Sequence, residues 1–183
     1  TNMPTIAYNS TFRLIVTGNY VEVNYINITG SAAAYLFTGS GTTNCVNAFN
    51  VTNSLNSTAA GGISITSPGS YALNSDVSLS NATNNGTCIS NAASGVYYCQ
   101  VFRLGTNTGS IGIVSTGAPV HKNIIGASSG IGIDLTGQYG NAVANTVYSQ
   151  GVTGIRTRNA ASSCYFVVNN NITDNARGML NLY

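Results

Sequence analysis

The sequence predicts an all-β solenoid, with about five stacked coils over residues 63–183 and a β-rich extension over residues 1–62. Three observations predict it. A glycine followed by an apolar residue recurs at Gly112, Gly132, Gly154 and Gly178, at spacings of 20, 22 and 24 residues. A second register accompanies the first, because Asn123, Asn145 and Asn169 each lie nine residues before one of the last three glycines. Between these markers the chain carries short β-branched runs and no helical period. Two linked registers at 20 to 24 residues, with no helix signal, describe stacked β coils.

Within each repeat, Ile, Val and Leu alternate with polar residues, as in "GSIGIVSTG" (109–117), "SGIGIDLTG" (129–137) and "VTGIRTRNA" (152–160). That alternation sends the apolar side chains into a narrow interior and leaves Ser, Thr and Asn outside. Asparagines at equivalent corners can stack into amide ladders, and glycines permit tight corners. Coil boundaries fall near residues 85, 107, 128, 150 and 175. Residues 1–62 differ: "FRLIVTGNYVEVNYINIT" and "AAAYLFTGS" alternate like strands without showing the period. They read as an N-terminal extension or cap, a possible donor strand to a neighbouring subunit, joined through the low-complexity "NVTNSLNSTAAGG".

Only 5% of the 183 residues are charged, far below the usual quarter, and the net charge is +2. Without a basic cluster the chain lacks an electrostatic footprint for nucleic acid. No apolar run approaches the roughly 20 residues of a membrane span. Cys45, Cys88, Cys99 and Cys164 form an even set with no CxxC spacing, so disulfides and an oxidising, extracellular setting are the better reading than metal. A start at Thr1 fits removal of a secretory signal peptide. Seven N-x-S/T sequons, at Asn9, Asn27, Asn50, Asn56, Asn81, Asn85 and Asn171, make N-linked glycans expected partners.

The run "ISITSPGSYALNSDVSLSNATNNGTCISNAASGVYYC" (63–99), followed by the N…GI repeats, resembles the opening of the NosD-type right-handed parallel β-helix proteins of the pectin-lyase-like superfamily, particularly their archaeal surface members. In that family an "SPGxYxL" stretch starts the first coil, matched here by Ser67, Pro68, Gly69, Tyr71 and Leu73. A cysteine pair flanks the family's second coil, which implies that Cys88 and Cys99 pair; their eleven-residue separation suits adjacent strands of neighbouring coils. The resemblance covers about two thirds of the chain and implies a fold rather than an activity. After Cys99 the family's usual G…I.G phrase is replaced by "QVFRLGTNTG".

Chemistry is sparse. Glycoside hydrolysis needs two carboxyl groups about 5 to 10 Å apart, and Glu22, Asp76, Asp134 and Asp174 are scattered. Asp134, between Ile133 and Leu135, should face outward as a solvated carboxylate. Arg156 and Arg158 share one strand face and are read as solvated, or as a grip for an anionic sugar or a neighbouring subunit. The one histidine, His121, reads as a loop residue. Tyr97, Tyr98, Tyr139, Tyr148 and Tyr165 are candidates for stacking on sugars or for packing. No catalytic residue, metal site or cofactor is expected.

The expected function is therefore structural: an extracellular, glycosylated subunit that polymerises head to tail into a surface filament or layer for adhesion or biofilm formation. A β-helix whose last coil is an open strand edge can pair with β segments of the next copy, and such a heterologous contact propagates. Cys45 and Cys164 would bond either within one chain, if the extension folds back, or between successive subunits. The alternatives are a secreted β-helix that binds or cleaves carbohydrate, including surface polysaccharide, and an accessory domain of a larger surface protein.

Overall fold

A computed structural model describes residues 5–8, 14–30, 35–41, 45–47, 50–53, 61–66, 69–79, 86–91, 95–103, 109–126, 129–137, 139–148, 150–158 and 165–182. The described chain is a parallel β-solenoid. Strands β1 (Thr5–Tyr8), β2 (Leu14–Val16) and β3 (Glu22–Asn24) form the first coil; β4 (Asn27–Gly30), β5 (Tyr35–Gly39) and β6 (Cys45–Asn47) the second; β7 (Asn50–Asn53), β8 (Gly61–Ile65) and β9 (Tyr71–Leu73) the third. Then follow β10 (Asp76–Leu79), β11 (Thr87–Asn91) and β12 (Val96–Tyr97); β13 (Gln100–Arg103), β14 (Ile111–Ser115) and β15 (Pro119–His121); β16 (Ile124–Gly126), β17 (Ile131–Leu135) and β18 (Asn141–Val143). The last are β19 (Thr146–Tyr148), β20 (Thr153–Arg158) and β21 (Phe166–Val168), then β22 (Asn171–Thr173) and β23 (Met179–Leu182).

Every third strand joins the same sheet. Sheet A, led by β1, and sheet B, led by β2, each stack eight strands, and sheet C, led by β3, stacks seven. The strands of residues 1–62 therefore lie in the same three sheets as the later ones. Thr5, Asn27, Asn50, Asp76, Gln100, Ile124, Thr146 and Asn171 share one register position, 22 to 26 residues apart from the first coil onward. Residues 63–183 contain about five of the coils, as expected, and about three more precede them.

Three inner rows make the core. Ile28, Val51, Val77, Val101, Ile125 and Val147 stack on sheet A; Phe37, Ile63, Ile89, Ile113, Ile133 and Ile155 on sheet B; Val46, Ala72, Val96, Val120 and Ala142 on sheet C, all essentially without exposure. Branched side chains suit this geometry, because like shapes in register pack coil on coil and their restricted χ1 costs little in a strand.

The repeated glycines mark where sheet B packs tightly against inner residues of sheet A. A Cβ on Gly132 would lie 2.4 Å from Val147 Cγ1 and 2.6 Å from the Gly154 carbonyl oxygen. The corner from sheet C to sheet A carries the other marker. Its first residue is left-handed at Tyr25, Asn74, Tyr98, Lys122, Ala144 and Asn169, with φ between 46° and 57°. The next residue turns inward, and from Asn123 onward it is an asparagine. Asn145 Nδ2 donates to the Val120 carbonyl at 2.8 Å and to Asn170 Oδ1 at 2.9 Å, while its Oδ1 accepts from the backbone N–H and the Nδ2 of Asn123, both at 3.0 Å. The third rung is Asn170, not Asn169 as the sequence register suggests; Asn169 holds the left-handed position and frees its neighbour to point in.

Three substitutions probe this packing. Gly132→Ala should cost about 2 kcal/mol or more, because backbone and core atoms must shift, whereas Gly178→Ala, whose Cβ would meet nothing closer than 4.0 Å, should change stability by less than about 0.5 kcal/mol. Asn145→Ala strands a buried carbonyl and two buried donors, and should cost about 2–4 kcal/mol. Thermal and denaturant unfolding measure all three.

Candidate functional surfaces

Asp134 lies on the outer face of sheet B, between Val114 and Arg156 in register. It is not solvated: its side chain has no exposure. Arg156 donates Nε and Nη2 to its two oxygens at 3.0 and 2.7 Å, and Arg158 donates Nε at 3.1 Å with Nη2 on the second oxygen. Two forked guanidiniums thus close over one carboxylate, linking adjacent strands. The alternation that places Asp134 outward is the same alternation that brings both arginines onto it, so the expectation of three solvated groups is corrected to an ion-pair cluster. Arg156 is 18% exposed and Arg158 45%.

His121 is a strand residue in β15 rather than a loop residue. Its Nε2 meets Asn141 Oδ1 on the next strand, and its ring stands edge-on to Tyr97 with centroids 5.6 Å apart. Partial burial raises the Tyr97 phenol above its usual pKa, and desolvation likewise raises the Asp76 carboxyl on the outer face of sheet A. Among the described residues no three His, Cys, Asp or Glu side chains come together as a metal site, and no helix is long and apolar enough to cross a membrane.

Cys88 and Cys99 are both fully buried, and Cys99 Sγ donates to the Tyr97 carbonyl at 3.4 Å. Eleven residues is half a repeat, which places the two on different sides of one coil rather than on adjacent strands of neighbouring coils. Cys88 occupies the register position of Gly62 and Gly112 in sheet B, and Cys99 that of Ser75 and Asn123 at the corner from sheet C to sheet A. Cys45 lies in β6 of sheet C, and Cys164 lies outside the described residues.

Of the sequons, Asn9, Asn56, Asn81 and Asn85 lie outside the described residues. Asn27, Asn50 and Asn171 occupy one row of sheet A, in β4, β7 and β22, and in each the middle residue of the triplet (Ile28, Val51, Ile172) is on the inner row. Asn171 is exposed and Asn27 half-buried.

The tyrosines divide. Tyr98 and Tyr139 are 52% and 67% exposed, while Tyr97, Tyr148 and Tyr165 are half-buried. Tyr165 packs against the core and donates its hydroxyl to the Arg158 carbonyl at 2.5 Å. Sequence reasoning passes over Tyr20 and Tyr25, which are 79% and 62% exposed. Tyr20, Tyr25, Tyr98 and Tyr139, the four most exposed of the described tyrosines, have left-handed backbones, with φ from 53° to 59°. Tyr25 and Tyr98 hold the corner from sheet C to sheet A; Tyr20 and Tyr139 share the corner from sheet B to sheet C with the left-handed Gly69 and Gly117. The signal that could find them is a bulky residue at a position where the repeats elsewhere place Gly or Asn.

The described ends expose the core rows. Met179, on the row of Ile155, is 56% exposed, and Val167 and Ile172 are half-buried where their equivalents in inner coils are sealed. Leu14 is half-buried in β2 at the other end. Comparison with family models, curated proteins and solved structures gives no match.

Asp134→Asn should cost about 1–3 kcal/mol, because two partly covered guanidiniums lose their counter-charge together, while Arg158→Ala, removing the more exposed partner, should cost less than about 1 kcal/mol. Chemical denaturation of the two variants side by side makes the comparison.

Proposed function

We propose that the chain is a secreted, glycosylated structural subunit that stacks end to end into an extracellular filament or surface layer serving adhesion. One observation carries this reading: the first and last described strands of all three sheets match. Continuing each ladder from one copy to the next sets Asn171, Ile172 and Thr173 opposite Thr5, Ile6 and Ala7; Met179, Leu180 and Asn181 opposite Leu14, Ile15 and Val16; and Phe166, Val167 and Val168 opposite Glu22, Val23 and Asn24. Each inner row then continues with an apolar residue: Ile172 to Ile6, Met179 to Leu14, Val167 to Val23. Parallel edges with unpaired N–H and C=O groups favour such addition, and a contact of this heterologous kind does not close.

The sequons of β4 and β22 support the glycosylated part of the reading, since a strand whose middle residue is buried directs Asn and Thr to the outer face. Membership of the NosD-type β-helix proteins, and of their archaeal surface branch, belongs to the same proposal; it is supported by the "SPGxYxL" residues and by the parallel solenoid itself. Cys45 and Cys164 are the candidates for covalent locking between copies.

Negative-stain microscopy of the purified protein should show regular fibres, and dispersed monomers would defeat the proposal. A paired variant fixes the register. With Thr5→Cys and Asn171→Cys, seven coils or about 34 Å apart within one chain, oxidation should yield a ladder on non-reducing gels that collapses with reductant, beyond any ladder from Cys45 and Cys164 in the unmodified protein.

A further inference from the structure

We infer that the outer face of sheet C is a lateral interface between copies of this chain, by which stacked solenoids pair side by side into bundles. The inference rests on the end-to-end reading above, and its test separates the two.

The sequons and the sheet topology carry it together. Asn27, Asn50 and Asn171 lie in strands of sheet A, and the other four sequons stand in the chain between a sheet A strand and the next sheet B strand: Asn9 after β1, Asn56 after β7, Asn81 and Asn85 after β10. All seven avoid the strands of sheet C and the connections on either side of them. Glycans are bulky and keep the surface they cover in water, so this placement leaves sheet C as the bare side. Its composition agrees. Tyr71, Phe166 and Val168 are exposed on its outer rows, and Leu73, Pro119 and Val143 are half-buried among them. Among the described residues of this face and the corners that border it, Glu22 and Lys122 are the acid and the base, so two copies meet there with little repulsion between like charges.

Spacing identifies the occupant. The face is a parallel sheet of seven strands, whose side chains stand in rows with a pitch of about 4.8 Å along the solenoid. Rows of one pitch interdigitate best with rows of the same pitch, as in the dry interfaces of paired sheets. The same face of another copy offers that pitch without further specification. Area then decides how many copies must act together. Seven strands showing about three residues each present a face of about 34 by 10 Å, or about 340 Å², less than half of the roughly 800 Å² per partner in a stable interface. One copy alone falls short. Continuing the sheet C ladder from Phe166 and Val168 to Glu22 and Asn24 of the next copy extends the face without a break, and three stacked copies supply about 1,000 Å². Lateral pairing is therefore a property of the stack and not of the monomer.

Negative-stain microscopy and low-speed sedimentation of the whole chain test it. The unmodified protein should form side-by-side bundles that pellet. Leu73→Lys with Val143→Lys places two like charges per copy on the face, away from the end strands; it should give single filaments, with pelleted protein falling about tenfold at low salt and returning at about 1 M salt, where charges are screened within about 3 Å. Single filaments from the unmodified protein overturn the lateral interface and leave end-to-end stacking standing, whereas dispersed monomers overturn both. Bundles from the lysine variant at low salt also overturn the lateral interface. A lysine variant that makes no filaments is replaced by Leu73→Thr with Val143→Thr, which keeps strand-forming residues while removing apolar surface, and single filaments or bundles then decide in the same way.

Discussion

Everything in this molecule depends on parallel strands stacking in register, coil upon coil. A parallel ladder bonds alternate residues of a strand to the coil before and the coil after, so a side chain meets its own counterpart rather than a chosen partner. Such a rule permits few solutions. Apolar shapes must repeat, and polar groups that point inward must satisfy one another along the axis. The isoleucine row of sheet B is the first solution, and the ladder from Asn123 through Asn145 to Asn170 is the second. Asp134 under two arginines is a third, because opposite charges in adjacent strands remove the repulsion that identical charges in a row would create.

The same rule explains what could be read beforehand. Gly112, Gly132, Gly154, Asn123 and Asn145 repeat visibly because neighbouring coils demand identical residues there, and they delivered the fold class. The first coils follow the same path with other residues. Leu36 occupies the glycine row in β5, and Ile26 the asparagine row before β4; both serve the same core by apolar packing, so the markers vanish while the architecture continues. Cys88 and Cys99 likewise replace a glycine and an asparagine of one coil. Their spacing is about half a repeat, which puts one on β11 and the other at the corner after β12.

Surface features were the least legible. The exposed tyrosines are invisible to alternation, since a corner residue belongs to neither face of a strand. Their left-handed backbone emerges only when the coils are aligned and Tyr20 and Tyr139 fall beside Gly69 and Gly117. The arginine cluster has the opposite cause. Both arginines were correctly placed on one face, but their partner sits 22 and 24 residues away, and only the coil period converts that distance into contact.

The passage from sheet C to sheet A takes two residues at every coil, from Asn24 to Asn27 at the first through Val168 to Asn171 at the last, although the coils themselves differ in length. All variation in length is therefore carried by the other two corners. The solenoid has one straight ridge of constant dimension and two borders free to lengthen, like a ruler with a fixed spine. Extra residues can be gained or lost along those borders without disturbing the count, whereas a single insertion on the ridge would throw every later row out of phase.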